Sequence, residues 1–478
     1  MISFLLSLAA LIAGYFFYGA FVEKVFGIEP DRKTPAVALN DGVDYVPLPW
    51  KKILLIQILN IAGLGPIFGA VMGALYGPAA FLWIVLGTIF AGAVHDFFSG
   101  MLSVRHEGKS ISEIVGIYLG DFMKNFMRVF SVILLVLVGT VFIAGPAGLL
   151  ANLGMTGIFA NKWFWLAAII AYYFFATILP IDKIIGRFYP IFGLVLLIMA
   201  LGIGIAILFF QNPIPEITLS NLHPKKLPIW PMLFITIACG AISGFHSTQS
   251  PIMARCIETE KYGRRVFYGA MVAEGIIALV WAAASMTFFN GIPGLAASLA
   301  KGGAGVVVHD VSIGLLGVAG GILAILGVIA CPITSGDTAF RSARLTIADA
   351  MNFDQQKIKN RLLVAAPLFA IGLALNFMDF SIIWRYFAWS NQTLATIVLW
   401  GSAAYLAVNN RLHWIATIPA TFMTAVCVTY IMIAPEGFKL STTIAYPVGI
   451  IAALVAFGAF MAYNMNKSGT DLAADTGK

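Results

Sequence analysis

The sequence predicts an all-α polytopic membrane protein of about 13 transmembrane helices, built as a five-plus-five inverted repeat with broken first helices. Three observations point there. Hydrophobic residues make up 60% of the 478, charged residues 11%, and the mean hydropathy is +0.92, whereas soluble domains are about one quarter charged. The apolar runs are roughly 20 residues long, enough to cross a hydrocarbon core of about 30 Å, and the period-two alternation of a barrel is absent. Two of these runs are interrupted by glycine, proline and polar residues at corresponding places, Asn60–Pro66 and Gly240–Pro251.

Residues 1–52 hold an N-terminal helix and a cytoplasmic loop. The apolar stretch from Ile2 to about Val22 has no basic segment before it and no cleavage signal after it, so it is read as a retained helix. Residues 53–210 form the first repeat, with spans near 53–76, 79–104, 128–150, 162–180 and 188–210. Residues 230–407 form the second, with spans near 230–253, 266–290, 312–335, 361–379 and 383–407. Two further helices fill 412–463, and 464–478 is a polar tail expected to be disordered. Loops after odd-numbered spans, with the tail, carry about 23 of the 29 basic residues. Positive charge marks the cytoplasm, which places the N-terminus outside and the C-terminus inside. Five spans is an odd number, so the two repeats have opposite orientation, all within one membrane domain spanning 1–478. Ser110–Asn125 has helical amphipathic spacing and is expected along the cytoplasmic surface. Gly291–Asp310 is glycine-rich and faces outside, either as an outer gate or as a connecting loop.

The net charge of +7 is spread over short loops, as membrane orientation requires, and does not point to nucleic acid. The lipid bilayer is the expected environment and a small molecule the expected partner; oligomeric state is not legible. Cys239, Cys256, Cys331 and Cys427 lack metal-ligand spacing and are read as small core residues without disulfides. No protein cofactor is expected.

A break in a membrane helix exposes backbone groups that only protein or a wet cavity can satisfy. Half-helix N-termini suit a carboxylate, and freed carbonyls suit a cation. Paired broken helices mark the substrate site of secondary transporters. The candidate substrate contacts are therefore Asn60, Gly63 and Gly65 in the first break, and Ser243, Gly244, His246, Ser247, Thr248 and Gln249 in the second. His246 is either a substrate contact and pH sensor or a core histidine satisfied by a backbone carbonyl. Asn391 and Gln392 in span eleven either close the ligand cavity or hold helices together.

The string Asn60-Ile61-Ala62-Gly63-Leu64-Gly65 resembles the unwound first core helix of leucine-transporter-type sodium symporters. That resemblance implies a cation site made by the carbonyls of Leu59 and Ala62 with Cys331 C=O, Thr334 and Ser335 on the eighth core helix, at spacing i, i+3, i+4. Helix-capping hydroxyls are the plainer reading. Span nine is expected to end at this string, with Asp337 just beyond it as a proton-coupling group or as an i+4 partner of Arg341. His95, Asp96 and Glu274 are intramembrane ionisable residues and functional candidates by default. As sequence neighbours, His95 and Asp96 are expected to face different sides and to need separate partners. A metal site using His95, Asp96, His246 or His309 has no supporting spacing.

Three strings, Ala91–Phe97, Cys239–His246 and Ser390–Ala395, resemble the carbon starvation protein A family of bacteria, and the resemblance covers most of the chain. It implies an inner-membrane importer of short peptides or pyruvate, with a fold like the amino-acid/polyamine/organocation superfamily. Coupling by proton is implied by the family, whereas Thr334 and Ser335 suggest sodium. A nutrient sensor or a channel is the competing class. A channel needs a continuous polar stripe and a sensor usually carries a soluble domain, and the sequence offers neither. No nucleophile–base pair suggests an enzyme.

Overall fold

A computed structural model of the chain describes residues 1–467 apart from 43, 152–155, 179–180, 211, 219, 352 and 356, and leaves the side chains of 178, 181–188, 325 and 464–467 undescribed. All thirteen expected spans have helical counterparts. They are α1 (Ile2–Phe26), α2a (Trp50–Ile61) with α2b (Gly65–Tyr76), α3 (Ala79–Arg105), α4 (Asp121–Ala151), α5 (Lys162–Ile178) and α6 (Ile181–Leu208). The second half supplies α7a (Ile229–Thr236) with α7b (Gly244–Ala254), α8 (Glu260–Phe288), α9 (325–350), α10 (Ile358–Leu375), α11 (Phe380–Val408), α12 (Trp414–Ile433) and α13 (Thr442–Lys467). Among the described residues, nine helices are long and apolar enough to cross a membrane, and the pair α2a–α2b, bent by 50°, makes a tenth.

Both expected breaks are present. Helix α2a stops at Ile61 and the chain resumes helix at Gly65 with Pro66 in its first turn, where a missing N–H costs nothing. Helix α7a stops at Thr236, and α7b begins at Gly244 after seven residues. The broken helices lie antiparallel and in contact. A Cβ on Gly73 would meet Ile237, one on Gly69 would meet the Thr236 carbonyl, and one on Gly65 would lie 2.3 Å from Cys239 Cβ. Near the other end, Leu48 N donates to Cys256 O at 3.0 Å, joining the approach to α2a to the end of α7b. Antiparallel first helices are what two repeats of opposite orientation require.

Several boundaries differ from the sequence reading. Span nine does not end at Cys331–Ser335, because α9 continues to Ala350 and puts that string mid-helix. Thr334–Arg344 reads as a polar exit from the membrane, yet Asp337, Arg341 and Arg344 are all buried. Arg341 Nη2 donates to Ala176 O at 2.9 Å and lies 3.8 Å from Asp337. Asp337 is thus 13 residues from the end of α9, about 20 Å along the axis. Residues 291–310 are mostly helical rather than loop. A helical run from Ile292 to Ala324 bends at Gly302, Gly303 and Gly317, the last two at φ 72° and 60°. The expected surface helix is Ile111–Leu119, ended by Gly120 at φ 90° directly before α4. The turn between α10 and α11 is capped by Asp379, which accepts from Ser381 N at 2.7 Å. Helix α13 extends through Lys467, past Asn464 where the tail was expected to begin, and 468–478 lie outside the described residues.

Candidate functional site

The two breaks meet a buried ionisable cluster. His246, in the first turn of α7b, places Nδ1 2.9 Å from Asp96 Oδ2 on α3 and Nε2 3.3 Å from Glu274 Oε2 on α8. Asp96 Oδ1 lies 2.7 Å from His95 Nδ1. All four side chains have zero exposure. The expectation that His95 and Asp96 need separate partners is therefore wrong: both rings of the cluster converge on one carboxylate, because their side chains fold back across the 100° that separates neighbours on a helix. His246 is hydrogen-bonded to Asp96 rather than to a backbone carbonyl, and its Nε2 approaches Glu274 without a hydrogen bond. A group in this setting keeps a charge only by pairing, since an isolated buried ion is costly.

Helix α7b can place His246 there because its first turn is clamped. Asn391 Oδ1 on α11 accepts from Ser243 Oγ and from Phe245 N, both at 2.9 Å, and so caps the half-helix from outside. A Cβ on Gly244 would lie 2.4 Å from Asn391 O, so only glycine admits this approach. The unwound strand preceding it is held by Trp83 Nε1 donating to Ile237 O at 3.0 Å and Thr88 Oγ1 donating to Gly240 O at 3.1 Å. Gln392 donates to Phe234 O and ties α11 to α7a. Ser247 and Thr248 turn back onto their own helix, donating to Gly244 O and Phe245 O at 2.7 and 2.6 Å. Gln249 Nε2 reaches Thr248 Oγ1 at 2.9 Å and Ser342 Oγ at 3.4 Å, toward the end of α7b.

The first break faces α9, the pairing that the resemblance to leucine-transporter-type symporters implied. Ser335 Oγ donates to Leu59 O at 2.9 Å, and Cys331 Sγ lies 3.3 Å from Ala62 O. Thr334 Oγ1 instead donates to Cys331 O at 2.7 Å. Gly63 abuts Phe142, where a Cβ would come within 2.6 Å of the ring. Asn60 is buried with neither side-chain polar atom bonded. Asp337 lies apart from this string, its Oδ2 3.5 Å from Tyr189 OH, whose hydroxyl also bonds Thr334 O at 3.1 Å.

Above the breaks lies an aromatic layer. Phe245, Phe142, Phe387, Trp384 and Phe68 follow one another with ring centroids 5.3–6.3 Å apart. Beyond it a cavity of about 400 Å³ opens, floored by Phe68 and Phe380. On the opposite side, a gap of about 50 Å³ between Thr248, Pro251 and Ser342 leads to a wider one of about 440 Å³ near Arg255 and Asp349. Among the described residues no three His, Cys, Asp or Glu side chains converge in a metal-ligand arrangement.

A family model described as carbon starvation protein CstA matches residues 1–157 and 149–292. The chain belongs to the carbon starvation protein CstA family. An uncharacterized membrane protein of Haemophilus influenzae is 45% identical over 352 residues, 63% of this chain and 95% of that protein. The peptide transporter CstA of Bacillus subtilis is 27% identical over 87% of each chain. The pyruvate/proton symporter BtsT of Escherichia coli is 28% identical over 57% of this chain, and the match spans about half (47%) of its own length. Among solved structures, MhsT in complex with L-phenylalanine aligns over 87% of this chain and 98% of its own at TM-score 0.57 and 14% identity. The Eremococcus coleocola manganese transporter aligns over 90% and 98% at TM-score 0.51 and 12% identity. MhsT has the leucine-transporter fold, and the five-plus-five reading is that fold.

Some residues at the site carry signals the sequence reading passed over. Gln57 precedes Asn60 by one helical turn, is fully buried, and has no partner for either side-chain polar atom. A glutamine inside an apolar run, three residues before a break, is that signal. Trp83 and Thr88 hold the second break from α3, and no local pattern marks them out, since their partners are about 150 residues away.

Proposed function

We propose that this protein is a secondary active transporter of the bacterial inner membrane that imports a small monocarboxylate by alternating access, coupled to protons. The observation that carries the reading is the Asp96–His246–Glu274 cluster, joining three helices at zero exposure in the first turn of the second broken helix. Only a group that gains and loses a proton there links the charge state of the site to the position of α7b. His246 is the proton carrier, Asp96 and Glu274 its counter-ions, and Asn391 the clamp that holds the half-helix.

Proton coupling is favoured over sodium by the first break. The carbonyls of Leu59 and Ala62 already accept from Ser335 and Cys331, so the protein supplies its own donors there. A small carboxylate is favoured over a peptide for two reasons. A peptide ammonium needs an acidic partner; Asp96 is already taken by two imidazoles, and Glu274, which has no hydrogen bond, lies 3.3 Å from His246 Nε2. The breaks are also closely packed, with Gly65 against Cys239 and Gly63 against Phe142. The relative named a pyruvate/proton symporter supports the same reading, and relatives named peptide transporters support the alternative. Positive-inside charge supports an outer N-terminus and a cytoplasmic C-terminus.

The reading is tested with purified protein in proteoliposomes. Labelled pyruvate and labelled dialanine are offered under imposed proton or sodium gradients. Saturable pyruvate accumulation driven by the proton gradient is expected. Accumulation of the dipeptide alone would reassign the substrate, and sodium-driven uptake at zero proton gradient would reassign the ion. Flux that follows neither gradient and never saturates would remove the symporter reading in favour of a channel.

A further inference from the structure

The cavity of about 400 Å³ beyond the aromatic layer is mostly apolar and is not part of the buried cluster. It lies at the ends of the helices opposite the basic loops, where the chain carries few cations. Its walls are glycines and aliphatic residues: Gly145 and Leu149 of α4, Gly303 and Gly305 at the bend of the outer helical run, and Val328 of α9. One full charge lines it. Lys162, the first residue of α5, stands half-buried in the wall and has no hydrogen-bond or ion-pair partner among the described residues. At the rim, His309 Nδ1 lies 3.2 Å from the carboxylate of Asp310, and both side chains are about two-fifths exposed. At the floor, Phe68 and Phe380 both pack against Trp384, whose indole N–H is buried and unpartnered.

An ammonium in a largely apolar concavity without a carboxylate is an unfinished ion pair. Low-dielectric walls focus its field toward the opening, which raises the local concentration of anions. Glycine at the bend removes side-chain bulk from the mouth, and Gly303, at φ 72°, could not be another residue without strain. Entry from this side brings a solute onto Phe68, on the half-helix that starts at the first break.

We propose that this cavity is an outer way-station that captures the carboxylate of the solute before the aromatic layer opens, with Lys162 supplying the charge. It rests on the transport reading above, and names a second binding position outside the buried cluster. Lys162 acts on capture and not on translocation, so its loss raises KM and leaves kcat.

Two measurements test it. In pyruvate uptake by proteoliposomes, Lys162→Gln is expected to raise KM about 3–10-fold with kcat within twofold, Lys162→Arg to stay near wild type, and the difference to shrink at high salt as the charge is screened. A KM for Lys162→Gln within twofold of wild type, or a fall in kcat at constant KM, overturns the proposal. The second measurement does not need transport. Ile313→Cys, in the cavity wall, is labelled from outside with an anionic and with a neutral thiol reagent. Lys162→Gln is expected to slow only the anionic reagent, several-fold, and pyruvate to protect the cysteine only when Lys162 is present. Equal effects on both reagents overturn the way-station. Charge-selective labelling and protection in protein that takes up no pyruvate would leave the way-station standing and remove the transport reading.

Discussion

Asp96→Asn is the substitution that most directly tests coupling. Asp96 receives two imidazoles, His95 at 2.7 Å and His246 at 2.9 Å, and no solvent reaches any of the three. A carboxamide keeps one acceptor oxygen and replaces the other with a donor, so one of the two contacts is lost and the negative charge goes entirely. Breaking a buried, hydrogen-bonded ion pair costs about 3–5 kcal/mol. At about 1.4 kcal/mol per decade, that weakens the hold of the cluster on a proton by about 10²–10⁴-fold. The expected variant binds solute and exchanges it, but does not accumulate it. The assay compares uphill uptake of labelled pyruvate under an inward proton gradient with counterflow at equal pH on both sides. Counterflow within about threefold of wild type, together with accumulation reduced to equilibration, supports the cluster as the coupling device. Wild-type accumulation by Asp96→Asn would refute it. Loss of both activities with an unchanged melting temperature would move Asp96 to solute binding.

Four further outcomes are expected. Ser335→Ala removes the donor to Leu59 O and leaves a buried carbonyl short of a partner, at about 1–3 kcal/mol; melting temperature in detergent falls, while uptake stays independent of sodium. Gly65→Ala would place a Cβ 2.3 Å from Cys239 Cβ, an overpacking cost of about 1–3 kcal/mol; adding Cys239→Gly, which removes the opposing atoms, should restore expression and thermal stability. Arg105→Gln frees Glu260, fully buried and held at 3.1 Å through both oxygens, and should cost about 3–5 kcal/mol as a lowered melting temperature. His106, just past the end of α3, bonds Tyr118 OH at 2.7 Å; burial first, then Lys109, Arg32 and Arg105, push its pKa down from 6.5 to about 4. Its folded value lies below its unfolded one, so its contribution is intact above pH 6.5 and is lost as pH falls toward 4. That window is worth about 3 kcal/mol, read as an acid-side loss of stability that His106→Gln should flatten.

The breaks were legible because glycine and proline stand out in an apolar run, and span count alone then imposed the inverted repeat. Residues 331–335 were matched to Leu59 and Ala62 through the resemblance to leucine-transporter-type symporters, and of them Ser335 and Cys331, but not the Thr334 hydroxyl, reach those carbonyls. The end of α9 was not legible. Hydropathy treats Asp337, Arg341 and Arg344 as a reason to leave the membrane, but Arg341 donates to Ala176 O on α5, Tyr189 on α6 donates to Asp337, and Arg344 donates to Gln355 past the end of α9. The cluster shows the same limit from the other side. Asp96, His246 and Glu274 were each visible as expensive residues, yet their meeting is a property of α3, α7b and α8 packing across 150 and 178 residues, and no local pattern encodes it.

That meeting also gives the two breaks different surroundings. Around the first, the partners are neutral: Ser335, Cys331 and the unpaired amides of Asn60 and Gln57. Around the second they are ionisable, and the half-helix is held at one end by Asn391 and at its first turn by His246. A proton arriving at His246 therefore changes the charge balance only at α7b, against α3 and α8 that carry Asp96 and Glu274. Motion that follows protonation should begin there, as a shift of α7b relative to α3 and α8, before α2a moves against α9. Spin labels pairing α7b with α3 should then report a pH-dependent distance change that Asp96→Asn abolishes. If the α2a–α9 distance responds to pH and α7b–α3 does not, the order is the reverse, and the first break is the coupling element.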